Sequence, residues 1–133
     1  MGALKIKAAP ENAEAVLDFI TVELERGNFP ESAHSDILVA VEEIFVNIAN
    51  YAYETDEGGD VDIFTHISDR IFITFEDSGK PFNPHKKEDP DLDVPLMDRE
   101  IGGLGVFFAK KLMDKVSYER IGDKNTLTIT KKK

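Results

Sequence analysis

Three short stretches of this chain carry side chains suited to chemistry: EIFVNIANYAY beginning at Glu43, EDSGKPF around Asp77, and GGLGVFFAKKLMD beginning at Gly102. In the first, Glu43 and Asn47 are four residues apart, so on a helix they are neighbours. An Asn amide oxygen can enter the octahedral shell of Mg²⁺ beside phosphate oxygens and waters, and a carboxylate one turn away can accept a proton from an attacking hydroxyl or water. In the second, Asp77 continues the alternation of Ile71, Ile73 and Phe75 and so points to the covered face of a strand. A carboxylate there requires a donor, which the amino group of a ligand could supply. Gly79 lets something approach the backbone closely or lets φ become positive. In the third, Gly102, Gly103 and Gly105 precede a helical pattern, where open backbone amides can hold an anion such as phosphate. Each stretch also has an ordinary reading: a solvated helix face, a strand-ending Asp-Ser-Gly turn, a flexible loop before a helix. Neither a P-loop string nor a dinucleotide-binding glycine pattern is present.

The elements that must position these residues follow from hydrophobic period. Leu4, Ile6 and Ala8 alternate with lysines as in a strand with one buried face. Pro10 can open a helix with Val16, Leu17, Ile20 and Leu24 on one side, ended by Gly27. Pro30 starts a second helix reaching to about Tyr53. Its main apolar face is Ile37, Val41, Ile44, Phe45, Ile48 and Ala52, while Val39 and Val46 lie outside that face, so the helix should be largely buried. Asp36, Glu43, Asn47, Asn50 and Glu54 form a narrow polar stripe between the apolar regions. Turn residues at 56–60 lead to a strand through Val61, Ile63, Thr65 and Ile67, joined at 68–70 to a second through Ile71, Ile73 and Phe75. Residues 83–101 read as loosely structured, 105–115 as a helix, and 116–121 with 126–130 as a hairpin around 122–124. The order predicts an α+β two-layer sandwich, with three helices on one face of a mixed, mostly antiparallel sheet.

Composition narrows the function classes. A chain of 133 residues suits a single domain, 1–133. It contains no Cys, which excludes disulfides and thiolate metal sites. The formal charge of −10 would repel nucleic acid and anionic membrane surfaces. With no signal-peptide stretch and no apolar window long enough to span a membrane, the expectation is a cytoplasmic protein that binds neither directly. His34, His66 and His85 offer no metal-ligand spacing.

Taken together, Glu-x3-Asn on a helix, Asp-x-Gly at a strand end, a loose segment and Gly-x-Gly at a helix start resemble the Asn box and the two Gly boxes of the histidine-kinase-like, Bergerat-fold ATPases. Within that superfamily EDSGKPFNP, GGLGVFFAKKLMDKVSY and NTLTITK are most similar to the anti-sigma-factor serine kinases of bacteria, over nearly the whole chain. The resemblance implies ATP and Mg²⁺ as cofactors. It makes Glu43 the catalytic base, Asn47 the Mg²⁺ ligand, Asp77 the acceptor for the adenine amino group and Gly79 part of the adenine floor. Gly103, Leu104 and Gly105 would hold the phosphates, Thr126 would place a hydroxyl near the adenine, and residues 83–101 would be the ATP lid. Asn50 shares the wall with Asn47, and Arg99, just before the glycines, is the candidate phosphate cation among Lys80, Lys86, Lys87 and Arg99.

Two departures qualify the likeness. Tyr51 stands where many relatives have His, and the lid HKKEDPDLDVPLMDRE is highly acidic. A sensor histidine kinase is disfavoured because 133 residues leave no room for a separate phosphoacceptor helix pair. The implied function is an anti-sigma factor that phosphorylates a serine on its antagonist protein and otherwise sequesters a sigma factor, with homodimerisation as a further expectation. A nucleotide-gated binding module with little or no kinase activity needs the same pocket and is the alternative.

Overall fold

In the computed structural model the described residues are 2–53, 58–80 and 109–133. The lid region 83–101, Glu54, Arg99, Gly103, Leu104 and Gly105 lie outside them. The chain begins with β1 (Gly2–Lys7), then a 3-10 turn at Pro10–Asn12 and α1 (Ala13–Arg26). Pro10 occupies the start of that turn, where its missing N–H has no partner to lose. Helix α1 stops at Gly27, whose N–H bonds back to the Glu23 carbonyl, and Asn28 takes the left-handed φ of 57° that turns the chain away. Helix α2 (Glu31–Tyr51) follows directly after Pro30. Then come β2 (Asp60–Ile67), β3 (Arg70–Asp77), β4 (Lys115–Ile121) and β5 (Lys124–Lys132).

The five strands form one sheet in the order β1-β2-β3-β5-β4. Every pairing among the described strands is antiparallel, so the mixed pairing expected from the sequence is not seen there. One face is covered. Val61, Ile63, Ile71, Ile73, Phe75, Leu127 and Ile129 meet Val16, Ile20 and Leu24 of α1 and Ile37, Val41, Ile44, Phe45 and Ile48 of α2. Residues 109–112 are helical, and Ala109 and Met113 join the same core, so the described part of a third helix lies on this face too. The other face carries Phe64, Thr74, Thr126 and Thr128, none of them buried.

Two details depart from the sequence reading. Helix α2 ends at Tyr51 rather than about Tyr53, because Tyr53 turns out of the helix to donate its hydroxyl to the Asp60 carbonyl at 2.6 Å and accept from the Ser78 N–H at 3.0 Å. The second apolar side expected for α2 is not buried among the described residues, since Val39 is 42% exposed.

Candidate functional site

Helix α2 links the polar stretches that the chain separates. Its C-terminal end meets the exit of β3: the Lys80 N–H donates to the Ala52 carbonyl at 2.9 Å. At Gly79 a Cβ would lie 2.3 Å from that same carbonyl oxygen, so this glycine is required for the close approach of the strand exit to the helix end. The polar stripe of α2 turns towards the third helix. Lys131 Nζ donates to the Leu112 carbonyl at 2.8 Å and lies 4.0 Å from Asp36 Oδ2, which puts the start of the stripe beside residues 109–112. Glu43, Asn47 and Asn50 continue along it towards Ala52 and the β3 exit.

Within this stripe two side chains are chemically unsettled. Asn47 Oδ1 is buried and, among the described residues, accepts no hydrogen bond, an expensive condition for an amide oxygen. Glu43 is half-buried and its carboxyl is pushed up from the ordinary value, chiefly by loss of solvent and next by the charge of Glu42. Asn50 is exposed. Among the described residues no group of three or more His, Asp or Glu side chains could hold a metal. A single orphaned amide oxygen nonetheless fits a hard cation of the Mg²⁺ kind, which takes one or two protein oxygens and completes its shell with phosphate and water.

At the β3 exit most of the polar groups are instead paired within the protein. Asp77 is 6% exposed and on the covered face, as its parity requires. Its Oδ1 accepts from the Gly79 N–H at 2.8 Å and from Asn125 Nδ2 at 3.0 Å. Among the described residues no donor reaches Oδ2. Tyr53 braces the same exit through Ser78, and its phenol is pushed up mainly by burial and then by Asp77, Asp60 and Asp62, against the lowering effect of the Ser78 N–H.

Thr126 is a correction. It pairs with Glu76 while Asn125 pairs with Asp77, and directly opposite residues share a face. The Thr126 side chain therefore stands on the face opposite Asp77. The residue that reaches Asp77 from β5 is Asn125, 5% exposed, with Nδ2 also donating to the Lys80 carbonyl at 2.8 Å. Asn125 Oδ1 accepts from Tyr118 Oη at 2.5 Å and Arg120 Nη1 at 3.2 Å, and the same Nη1 donates to the Gly79 carbonyl at 2.8 Å. Asn125, Arg120 and Tyr118 were not expected from the sequence as site residues. The signal available was the alternation of Asn125, Leu127 and Ile129 along β5, which puts all three inward.

The comparisons with known proteins bear on the family and the fold. Residues 6–131 match the histidine kinase-like ATPase domain. The chain is 37% identical over 86 residues to the serine-protein kinase RsbW of Halalkalibacterium halodurans, covering 61% of this chain and 52% of that protein. It is 30% identical over 118 residues to the protein of the same name from Oceanobacillus iheyensis, covering 85% of this chain and 75% of that one. The matches thus span about half of the first relative and three quarters of the second. Among solved structures, the RsbU and RsbW domains of Rv1364c from Mycobacterium tuberculosis superpose with a TM-score of 0.68 at 18% identity, over 99% of this chain and 32% of that one. That likeness concerns the fold.

Proposed function

The chain belongs to the histidine kinase-like ATPase domain family, and on that footing we propose that it is a cytoplasmic ATP-dependent serine kinase of the anti-sigma type. Its substrate would be a serine on a small antagonist protein, and it would otherwise sequester a sigma factor, making the protein a regulator of transcription. The curated relatives are named as serine-protein kinases. Among the described residues no helix is long and apolar enough to cross a membrane.

The observation that carries this reading is the pair on α2: a buried amide oxygen at Asn47 without a partner among the described residues, one turn from a partly desolvated carboxyl at Glu43. Asn47 Oδ1 would hold Mg²⁺, which when bound offsets phosphate charge and fixes the phosphate oxygens. Glu43 would accept the proton of the serine hydroxyl, and its raised affinity for that proton suits a base working nearer neutrality. Asp77 Oδ2 would accept from the adenine amino group, with the Gly79 backbone beside the ring, and Asn50 would rim the same wall. Gly103, Leu104 and Gly105 would supply backbone amides to the phosphates, aided by Arg99, and residues 83–101 would close over the nucleotide; these assignments rest on the family resemblance. The work of the chain is then mostly positioning and charge stabilisation, as in other phosphoryl transfers.

Incubation with radiolabelled Mg-ATP and the antagonist protein encoded beside this one tests the proposal. Label on a serine of the antagonist is the expected result. ATP-dependent complex formation with no transfer would make the protein a nucleotide-gated binding module instead.

A further inference from the structure

We infer that Asn125, held in one orientation by Arg120, is a positioning residue that aims the Asp77 carboxylate and thereby sets the preference of the pocket for purines bearing a 6-amino group. This rests on the reading of Asp77 as the adenine acceptor.

The orientation of the Asn125 amide follows from what its neighbours can and cannot do. A guanidinium only donates, so the 3.2 Å contact with Arg120 Nη1 requires the amide oxygen on that side. A carboxylate oxygen and a backbone carbonyl only accept, so Asp77 Oδ1 and the Lys80 carbonyl require the NH₂ on the other. A flipped amide would set NH₂ against guanidinium and oxygen against two acceptors. Arg120 is itself fixed by its bond to the Gly79 carbonyl.

The consequence reaches the carboxylate. Its Oδ1 is occupied twice, by the Gly79 N–H from its own strand exit and by Asn125 from the neighbouring strand. Two donors from different directions restrict rotation of the carboxylate, leaving Oδ2 to face a ligand as an acceptor. With both Asp77 and Asn125 buried, a misplaced acceptor is costly and a matched one is strong. A 6-amino purine supplies the matching donor. A purine with hydrogen at that position leaves Oδ2 unpaired, which a site of this kind penalises. Without Asn125 the carboxylate keeps one donor and can turn, so the 6-amino group loses its advantage while phosphate binding is untouched.

The test is calorimetric titration of the full chain with Mg-ATP and with the Mg complex of purine riboside triphosphate, which lacks the 6-amino group. The wild type should bind ATP about 10-fold more tightly. Asn125→Ala should reduce that ratio to about 2-fold or less, with its affinity for purine riboside triphosphate unchanged, whereas general disruption would weaken both ligands together. Arg120→Met, at a half-buried hairpin position, removes one of the contacts that fix the amide and should lower the ratio by a smaller factor; it answers the question if Asn125→Ala does not fold. A wild type without preference would sink the Asp77 reading and this inference with it. A wild-type preference retained in either variant, or equal weakening of both ligands, would overturn the inference while leaving the Asp77 reading intact.

Discussion

The exit of β3 and the polar stripe of α2 differ in how complete they are. At the β3 exit, Asp77, Asn125, Arg120 and Tyr53 tie together three strands and the end of α2 with bonds the protein makes to itself. On the stripe, a buried Asn47 oxygen has no partner among the described residues and the Glu43 carboxyl sits where solvent loss disfavours its charge. A preorganised end can recognise a ligand with little further ordering. An unsatisfied end holds free energy that a cation and a phosphate would release on arrival. On the proposed function, base recognition belongs to the first and metal and proton chemistry to the second.

The largest effect should come from closing the gap at the rigid end. Gly79→Ala forces a Cβ within 2.3 Å of the Ala52 carbonyl oxygen, so α2 and the β3 exit must part. Chemical denaturation should show a loss of about 2–3 kcal/mol, and nucleotide affinity should fall with it. Unchanged stability would mean that the two elements are not locked together.

Next, Glu43→Gln should leave ATP affinity within about 2-fold and reduce phosphotransfer by about 10²-fold or more. Full transfer would remove Glu43 from the base role. The same variant tests the stripe through pH. Because the folded-state value of Glu43 is raised, its favourable contribution is present below the ordinary carboxylate range and is lost as pH rises through the raised value. Glu43→Gln should therefore melt no lower than the wild type at neutral pH, and the difference should shrink on acidification.

Asp77→Asn keeps an oxygen for the donors of Gly79 and Asn125 but puts NH₂ where Oδ2 stands, a donor against the donor of a 6-amino group. Calorimetry should show adenine nucleotide binding weakened by about 10-fold; unchanged binding would move the base elsewhere. The smallest effect is expected for Tyr53→Phe, which removes two half-exposed hydrogen bonds at the edge of the rigid end and should cost about 1 kcal/mol in stability with little change in transfer.

Much of this arrangement was legible from period alone. Alternation through Ile71, Ile73 and Phe75 suffices to turn Asp77 inward, and helical spacing suffices to set Glu43 beside Asn47. The same alternation applied to β5 turns Asn125 inward and Thr126 outward; matching by residue type favours the hydroxyl, and backbone parity decides against it. The role of Gly79 was open between a positive φ and a close approach, because a sequence does not show what lies opposite; the partner is the end of α2, some 27 residues earlier. Tyr53 continues the helical pattern of its neighbours, but its hydroxyl makes two hydrogen bonds outside the helix, which stops two residues short of it. Tyr118 and Arg120 continue the inward parity of Val116, but the sequence does not show that they converge on a buried amide.

The measurement that bears most directly on the two-ended pocket is a titration of ATP with and without Mg²⁺, on the wild type and on Asn47→Ala. The wild type should bind ATP more tightly with the metal present. Asn47→Ala should lose that enhancement and keep the metal-free affinity, since the base-recognition end is untouched. An enhancement of equal size in both proteins would contradict the assignment of Asn47, and with it the division of the pocket into a finished end and an end awaiting its ligand.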